Sequence, residues 1–298
     1  MRKAQVSLFG VSCKPILTPS QYSWGWDWGP IIVTAGLYLP IFLDTYTTRI
    51  DDLYITSTLA RDHTSAELTV AVRLSGAAVG TTKVKISDAL GKTVAEGVVQ
   101  GSSTFKIEKP ELWWPSGHGE QAPYTATATL SNSSPLDTVS KKFGIRTITL
   151  VQRPLDNEPG TTFMFNVNGR DIFIQGGDWI PADNLTPRLT RQKYFDWIKM
   201  AKRGNLNMIR VWGGGVYEPD DFFDACDELG LLVWHDYAFA CGDFPVYDEF
   251  LESIRLEVEA QTLRLRGRAS LALLCGGNED FMLADFDGEP LPGLLLEK

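Results

Sequence analysis

Asn278 and Glu279 follow a five-residue apolar run, Leu271-Ala272-Leu273-Leu274-Cys275, and a glycine pair. Such a run reads as a buried strand, and the glycines break it so that both polar side chains stand at its C-terminal end. In a barrel of alternating strands and helices that end is the open face, where catalytic groups collect. A carboxyl group placed there can give a proton to a leaving oxygen and later take one from water. Alone the position says little, since most loop carboxylates are merely solvated. Other candidates accompany it at the ends of three earlier apolar runs: Gly177-Asp178-Trp179, Arg210 with Trp212, and His235-Asp236. Near the beginning, Asp27 stands among Trp24, Trp26 and Trp28 in WGWDWGP. A carboxylate surrounded by indoles needs a hydrogen-bond partner, which a bound hydroxyl can supply. A packed tryptophan corner closing a β-domain is the other reading of the same stretch.

The elements that must position these residues alternate. Asn168-Gly169 is a strong hairpin signal between runs at 163–167 and 171–175. Thr190 is placed to cap a helix through Arg203, with Tyr194, Ile198 and Ala201 on one face and Gly204 stopping it. A strand at 207–212 ends in three glycines. Pro219 then opens a helix with Asp220 and Asp221 in its first turn, a stripe of Phe222, Cys226 and Leu229, and Gly230 at its end. A strand at 231–235 follows, then a helix over 247–266 with Phe250, Ile254, Val258 and Leu265 at helical spacing, then the strand at 271–275. Strands centred near 174, 209, 233 and 273, separated by helices, predict a parallel sheet with right-handed crossovers. No glycine-rich phosphate loop opens any of these helices, which disfavours a nucleotide-binding sheet. The first half of a (β/α)₈ barrel fits instead, and in it the four strand ends converge on one mouth.

Upstream the period is two. Seven short alternating runs between residues 53 and 145 are separated by turn residues, and in ELTVAVRL the residues Leu68, Val70, Val72 and Leu74 face one way. That pattern predicts an immunoglobulin-like β-sandwich without a disulfide. The Pro/Gly-rich segment 112–124 reads equally as inter-domain packing or ligand contact. Residues 22–50 combine the tryptophan knot with strands.

Composition narrows the chemistry. A 298-residue chain with 44% hydrophobic content supports two or three domains. A net charge of −9 argues against a nucleic-acid partner, which needs clustered Lys and Arg. Nine Trp and nine Tyr suit a sugar ring, apolar on its faces and hydroxylated at its rim, as well as they suit a core. Cys13, Cys226, Cys241 and Cys275 show neither metal-ligand nor disulfide spacing, so no metal and no cofactor are expected. No run of 18 apolar residues is present to span a membrane. The N-terminal 17 residues, broken by Lys14 and Pro15, do not read as a signal peptide, which favours an intracellular over a secreted location. Oligomeric state is not readable.

Four stretches, WGWDWGP, GGDWIPAD, RVWGGGVYEPDDFFDACDELGLLVWHD and SLALLCGGNED, together resemble the β-mannosidases of glycoside hydrolase family 2, the fungal members above all. The likeness runs over residues 22–286, with motifs from three successive domains in order. It implies the end of a sugar-binding (galactose-binding-like) β-domain at 1–48, the sandwich at 49–148, and the N-terminal half of a catalytic TIM barrel at 149–298. It further implies cleavage of terminal β-mannosides with retention of configuration, a β-mannoside oligosaccharide or glycan being the partner. Within that resemblance Glu279 matches the acid/base and Asn278 the neighbour that holds the sugar 2-hydroxyl. Trp212 matches a wall of the mannose subsite, and Trp26, Asp27 and Trp28 match the loop that reaches into the mouth. Arg210, Asp178, Trp179 and Asp236 take supporting places. The resemblance puts the nucleophile on a strand in the second half of the barrel, so it is expected to be absent from this chain, with the chain truncated at both ends. Residues 6–21 interrupt the family pattern and read as an insertion or a translated unspliced segment. Another family 2 activity, on galactosides or glucuronides, and non-catalytic sugar binding are the competing readings.

Overall fold

The computed structural model describes residues 3–8, 21–33, 41–77, 79–241 and 244–280. Strands β1 (Lys3–Leu8) and β2 (Ile41–Tyr46) form an antiparallel pair, from Lys3 opposite Tyr46 to Leu8 opposite Ile41. The pairing passes through residue 6 unbroken, so the irregular stretch begins inside a continuous strand; residues 9–20 and 281–298 lie outside the described residues.

The seven expected runs are seven strands in two sheets. β3 (Thr48–Leu59), β4 (Ser65–Gly76) and β7 (Ser102–Glu108) make one sheet. The other, in the order β6-β5-β8-β9, is built from β5 (Thr81–Ser87), β6 (Thr93–Val99), β8 (Pro123–Asn132) and β9 (Ser134–Gly144). Alternate residues fill the space between them: Leu68 and Val70 from one sheet meet Val84, Ile86 and Leu130 from the other, all at 0% exposure. Each such side chain contributes about 1.5–3 kcal/mol on burial.

Next comes a small antiparallel sheet of β10 (Ile148–Val151), β11 (Met164–Val167) and β12 (Arg170–Ile172). Asn168 and Gly169 join β11 to β12 with φ of 50° and 78°, both in the left-handed region that a two-residue hairpin of this type requires.

Four parallel strands in sequential order follow: β13 (Gly176–Trp179), β14 (Met208–Val211), β15 (Leu232–Asp236) and β16 (Leu271–Cys275). Helices α1 (Arg191–Arg203), α2 (Asp220–Leu229) and α3 (Asp248–Leu265) connect them. This is the beginning of a (β/α)₈ barrel. The first barrel strand differs from expectation. The run at 171–175 does not serve as both hairpin and barrel strand; β12 stops at residue 172 and β13 is separate. Pairing overrides the poor strand propensity of two glycines there. A Cβ on Gly176 would lie 2.5 Å from the Met208 carbonyl oxygen, so glycine is what allows β13 to approach β14.

Helix punctuation is as expected except in one place. Thr190 caps α1 by accepting the Lys193 N–H, and Gly230 ends α2 at φ 83°. Gly204, however, has φ −77°, and the left-handed residue after α1 is Asn205 at φ 60°. On α3 only Phe250 and Leu265 of the predicted stripe are fully buried.

The sandwich and the parallel sheet are bolted together. Trp113, in the Pro/Gly-rich segment, is 1% exposed and donates its indole N–H to the Asp227 carbonyl at 2.8 Å, so that segment is packing. Arg146 donates to the carbonyls of Ala269 at 3.1 Å and Leu271 at 2.7 Å, at the start of β16. Arg266 pairs with Asp52 of β3.

Candidate active site

The C-terminal ends of the four parallel strands form one mouth, and Arg210 of β14 is its hub. Its guanidinium donates to Asp236 Oδ2 at 2.6 Å and Oδ1 at 3.3 Å, to Asn278 Oδ1 at 2.7 Å, and to Asp178 Oδ1 at 3.5 Å. One side chain thereby links residues of β13, β15 and the loop after β16. Asp236 also accepts from the Trp234 indole at 3.0 Å and the Gly213 N–H at 3.2 Å. Burial pushes the Asp236 carboxyl up from its usual range, with Arg210 and these two donors opposing. The guanidinium is itself raised: desolvation alone would lower it, and the two aspartates outweigh that. With both oxygens occupied and its side chain 0% exposed, Asp236 orients its neighbours and is closed to a ligand.

Asp178 differs. Its side chain is about half exposed at 49%, its contact to Arg210 is long, and burial together with the nearby Glu279 charge raises its pKa against the pull of Arg210. It is the carboxylate of this group that still faces open space.

The aromatic wall comes from both ends of the chain. A single turn of 3₁₀ helix, Gln21–Trp24, leads into a tight turn closed by mutual hydrogen bonds between Trp26 and Gly29. The turn sets Trp26 and Trp28 against Trp212 at centroid separations of 5.1 and 5.9 Å, both edge to face. Tyr22, 2% exposed, stacks behind Trp28 at 5.5 Å. Asp27, at the tip of the same turn, is exposed. The glycines after Trp212 are demanded by space: a Cβ on Gly214 would lie 2.1 Å from the Trp212 ring, and one on Gly213 would lie 2.4 Å from the Phe239 carbonyl oxygen.

Cys241, which the sequence did not single out, joins this wall to Asn278 and Glu279. It packs against the buried cluster of Tyr22, Trp212 and Ala240, as Trp26 and Trp28 do. Its thiol donates to Glu279 Oε2 at 3.3 Å and accepts from Asn278 Nδ2 at 3.3 Å, while its N–H donates to the Asn278 carbonyl at 2.8 Å. Burial and the Glu279 carboxylate raise the thiol pKa, which keeps it a hydrogen-bond donor. Glu279 has φ 57° and Cys241 φ 47°, so both residues hold a backbone conformation costly for side chains of their kind.

Two strand-end residues leave the mouth. Trp179 alternates outward from Asp178 and lies among the helices, 5.0 Å from Phe222 and 6.5 Å from Trp197 by ring centroids. His235 alternates outward from Asp236 and stacks between Tyr217 and Phe223. Neither ring nitrogen of His235 has a hydrogen-bond partner among the described residues. The two-residue period that brings Asp178 and Asp236 inward sends these neighbours out. Among the described residues no three His, Cys, Asp or Glu side chains group as metal ligands.

Known proteins are similar to this chain. The family model for glycosyl hydrolases family 2 matches residues 48–146, the sandwich. The chain is 42% identical to beta-mannosidase B of Aspergillus terreus over 276 residues, 90% of this chain and 32% of that protein. It is 40% identical to beta-mannosidase B of Emericella nidulans over 292 residues, 95% of this chain and 34% of that protein. The crystal structure of beta-D-mannosidase from Dictyoglomus thermophilum superposes with a TM-score of 0.79 at 34% identity, covering 88% of this chain and 33% of that one. The chain thus spans about a third of the length of the relatives it matches. The sandwich matches the model of the family 2 glycosyl hydrolases, and over about nine-tenths of its length the chain is similar to beta-mannosidases.

Proposed function

We propose that this chain is the part of a retaining β-mannosidase that encloses the terminal mannose and supplies its proton donor. The observation that carries the reading is the junction at Cys241, where a three-tryptophan wall meets Asn278 and Glu279. In this reading Trp212, Trp26 and Trp28 enclose the apolar faces of one sugar, and Asp27 reaches its far hydroxyls. Asn278, held by Arg210 through Oδ1, offers its Nδ2 to the 2-hydroxyl. Glu279 protonates the departing glycosidic oxygen and then deprotonates the water that completes the double displacement. Arg210 and Asp236 hold the mouth in register, Asp178 supports it from β13, and Trp179 backs that strand from the helix layer.

A retaining mechanism needs a second carboxylate about 5–5.5 Å from the first, attacking the anomeric carbon. Asp236 is fully engaged with donors, and Asp178 stands on the first parallel strand whereas the resemblance to β-mannosidases puts the nucleophile on a later one, so neither is assigned that part. The nucleophile is assigned to the later barrel strands, outside this chain, and the chain alone is expected to turn over no aryl β-mannoside. The test is to substitute this segment for the matching third of the Aspergillus terreus relative and assay aryl β-glycosides. The chimera should prefer the mannoside. Glu279→Gln should lower its rate about 10²–10⁴-fold with a poor leaving group and far less with an activated one, because only the poor one needs the proton. Equal losses with both leaving groups, or a faster galactoside or glucuronide, would overturn the assignment.

A further inference from the structure

Behind the mouth, in the helix layer, lies a carboxyl group that the mechanism above does not use. Glu218, separated from α2 by Pro219 alone, is 1% exposed. Its Oε1 accepts from the Trp179 indole at 2.9 Å and its Oε2 from the Tyr194 hydroxyl at 2.8 Å. Its carbonyl accepts from Arg264 of α3 at 3.0 Å. The same Trp179 accepts, through its own carbonyl, the backbone N–H of Trp212 at 3.1 Å. A closed circuit results. The chain leaves Trp179 by that backbone bond, runs from Trp212 through the three glycines to Glu218, and returns by the carboxyl to the Trp179 indole. Within the circuit the Gly213–Gly215 stretch is pressed between the Trp212 ring, Pro181 and the Phe239 carbonyl, so it has little slack of its own.

Resting on the mannosidase reading of the mouth, we propose that Glu218 is a positioning residue for the Trp212 wall, a latch whose carboxylate form holds the circuit closed and whose protonated form loosens it. The carboxylate accepts from both donors at once. Once protonated it donates a hydrogen of its own, which the Tyr194 hydroxyl can take by inverting, and the Trp179 indole is left with a neutral acceptor and a weaker hydrogen bond. The charge state is balanced at ordinary pH. Burial pushes the Glu218 carboxyl up to about 7, with the Trp179 and Tyr194 hydrogen bonds and the Arg264 charge pulling the other way. The groups that face it are Trp179 from β13, Tyr194 from α1, Cys226 from α2 and Arg264 from α3. Cys226 is fully buried with its thiol pushed well above its usual pKa, so the carboxyl is the member of this group that changes charge near neutrality.

The test reads the wall without asking for turnover. The chain is labelled with 5-fluorotryptophan and followed by fluorine NMR from pH 5.5 to 8.5, with Trp179→Phe and Trp212→Phe assigning two resonances. Both resonances should titrate together with a midpoint near 7, and both should be flat in Glu218→Gln. Tyr194→Phe removes one donor to the charged form, so its midpoint should move up; this variant serves if Glu218→Gln does not fold. Titration persisting in Glu218→Gln, or a Trp179 shift with Trp212 unmoved, overturns the latch. Glu279→Gln should leave both titrations unchanged. A failed mannoside assay with intact titrations would count against the mannosidase reading and spare the latch, and the reverse would do the opposite.

Discussion

Among the described residues, the polar side chains buried in the antiparallel sandwich are the hydroxyls of Thr48, Thr82 and Ser87, whereas the parallel sheet and its loops bury Glu218, His235, Asp236 and Asn278. The two regions reach burial by opposite routes. The sandwich removes mainly methyl groups from water, with three hydroxyls beside them. The barrel strands remove ionisable groups from water and must satisfy each of them, which costs stability unless every donor and acceptor is matched. The difference separates packing from polar organisation: a sheet built for stability alone has no need to enclose an aspartate bonded by four donor atoms.

The contrast can be broken by measurement, and the largest effect should come from its centre. Asp236→Ala leaves the Arg210 guanidinium facing an empty site and should cost about 3–5 kcal/mol in urea unfolding. A loss comparable to that of a surface substitution would mean that the hub is not under load.

Acidity gives the next test. The Glu218 carboxyl rises from 4.5 when unfolded to about 7 when folded, so the folded state holds the extra proton between those values. Stability from this group is full below about pH 4.5 and is lost as pH rises through 7, on the order of 3 kcal/mol in all. His235 works in the opposite sense. Burial, then the Arg264 charge, push it from 6.5 down to about 4, so its contribution is full above pH 6.5 and is lost as pH falls towards 4. Over this window the two nearly offset in the wild type. Glu218→Gln should therefore reveal stability that climbs with pH, and His235→Phe stability that declines with it. Parallel curves for both variants would refute the opposed pair.

The sandwich should give small and featureless changes by comparison. Ile86→Val removes one methylene from its core and should cost about 1 kcal/mol, with the same value at pH 5 and pH 8. Thr190→Ala removes an exposed cap with a long 3.4 Å hydrogen bond and should cost about 0.5 kcal/mol by the same assay.

The sequence revealed most where a single residue dictates a local conformation. Asn168-Gly169, Thr190 and Gly230 each placed a turn or helix end, because the backbone there admits few alternatives. Asn205 taking the left-handed position expected near Gly204 shows the limit of that logic, which finds the end of a helix to within a residue. The strand at Gly176–Trp179 was harder, since its glycines have no strand preference and only contact with Met208 makes them one. The site divided similarly. Glu279, Asn278, Arg210 and Trp212 were visible as polar or aromatic punctuation after apolar runs, and the tryptophan knot by its composition. Which of two neighbours points inward was not visible on strands four or five residues long, so Trp179 and His235 were grouped with a mouth from which they turn away. Cys241 and Glu218 carried no signal beyond their place before a loop and before a proline, because their partners lie dozens of residues distant.

Arg146 gives the sandwich a hold on the chemistry of its neighbour. Its guanidinium grips two carbonyls at the root of β16, and the far end of that strand, roughly 17 Å away at about 3.3 Å per residue, leads into Asn278 and Glu279. A rearrangement that exchanged the sandwich for another module, without an equivalent cation, would unseat the strand from its foot upward and shift Glu279 without altering any residue of the mouth. The boundary between the two units in this respect helps to set the geometry of the mouth.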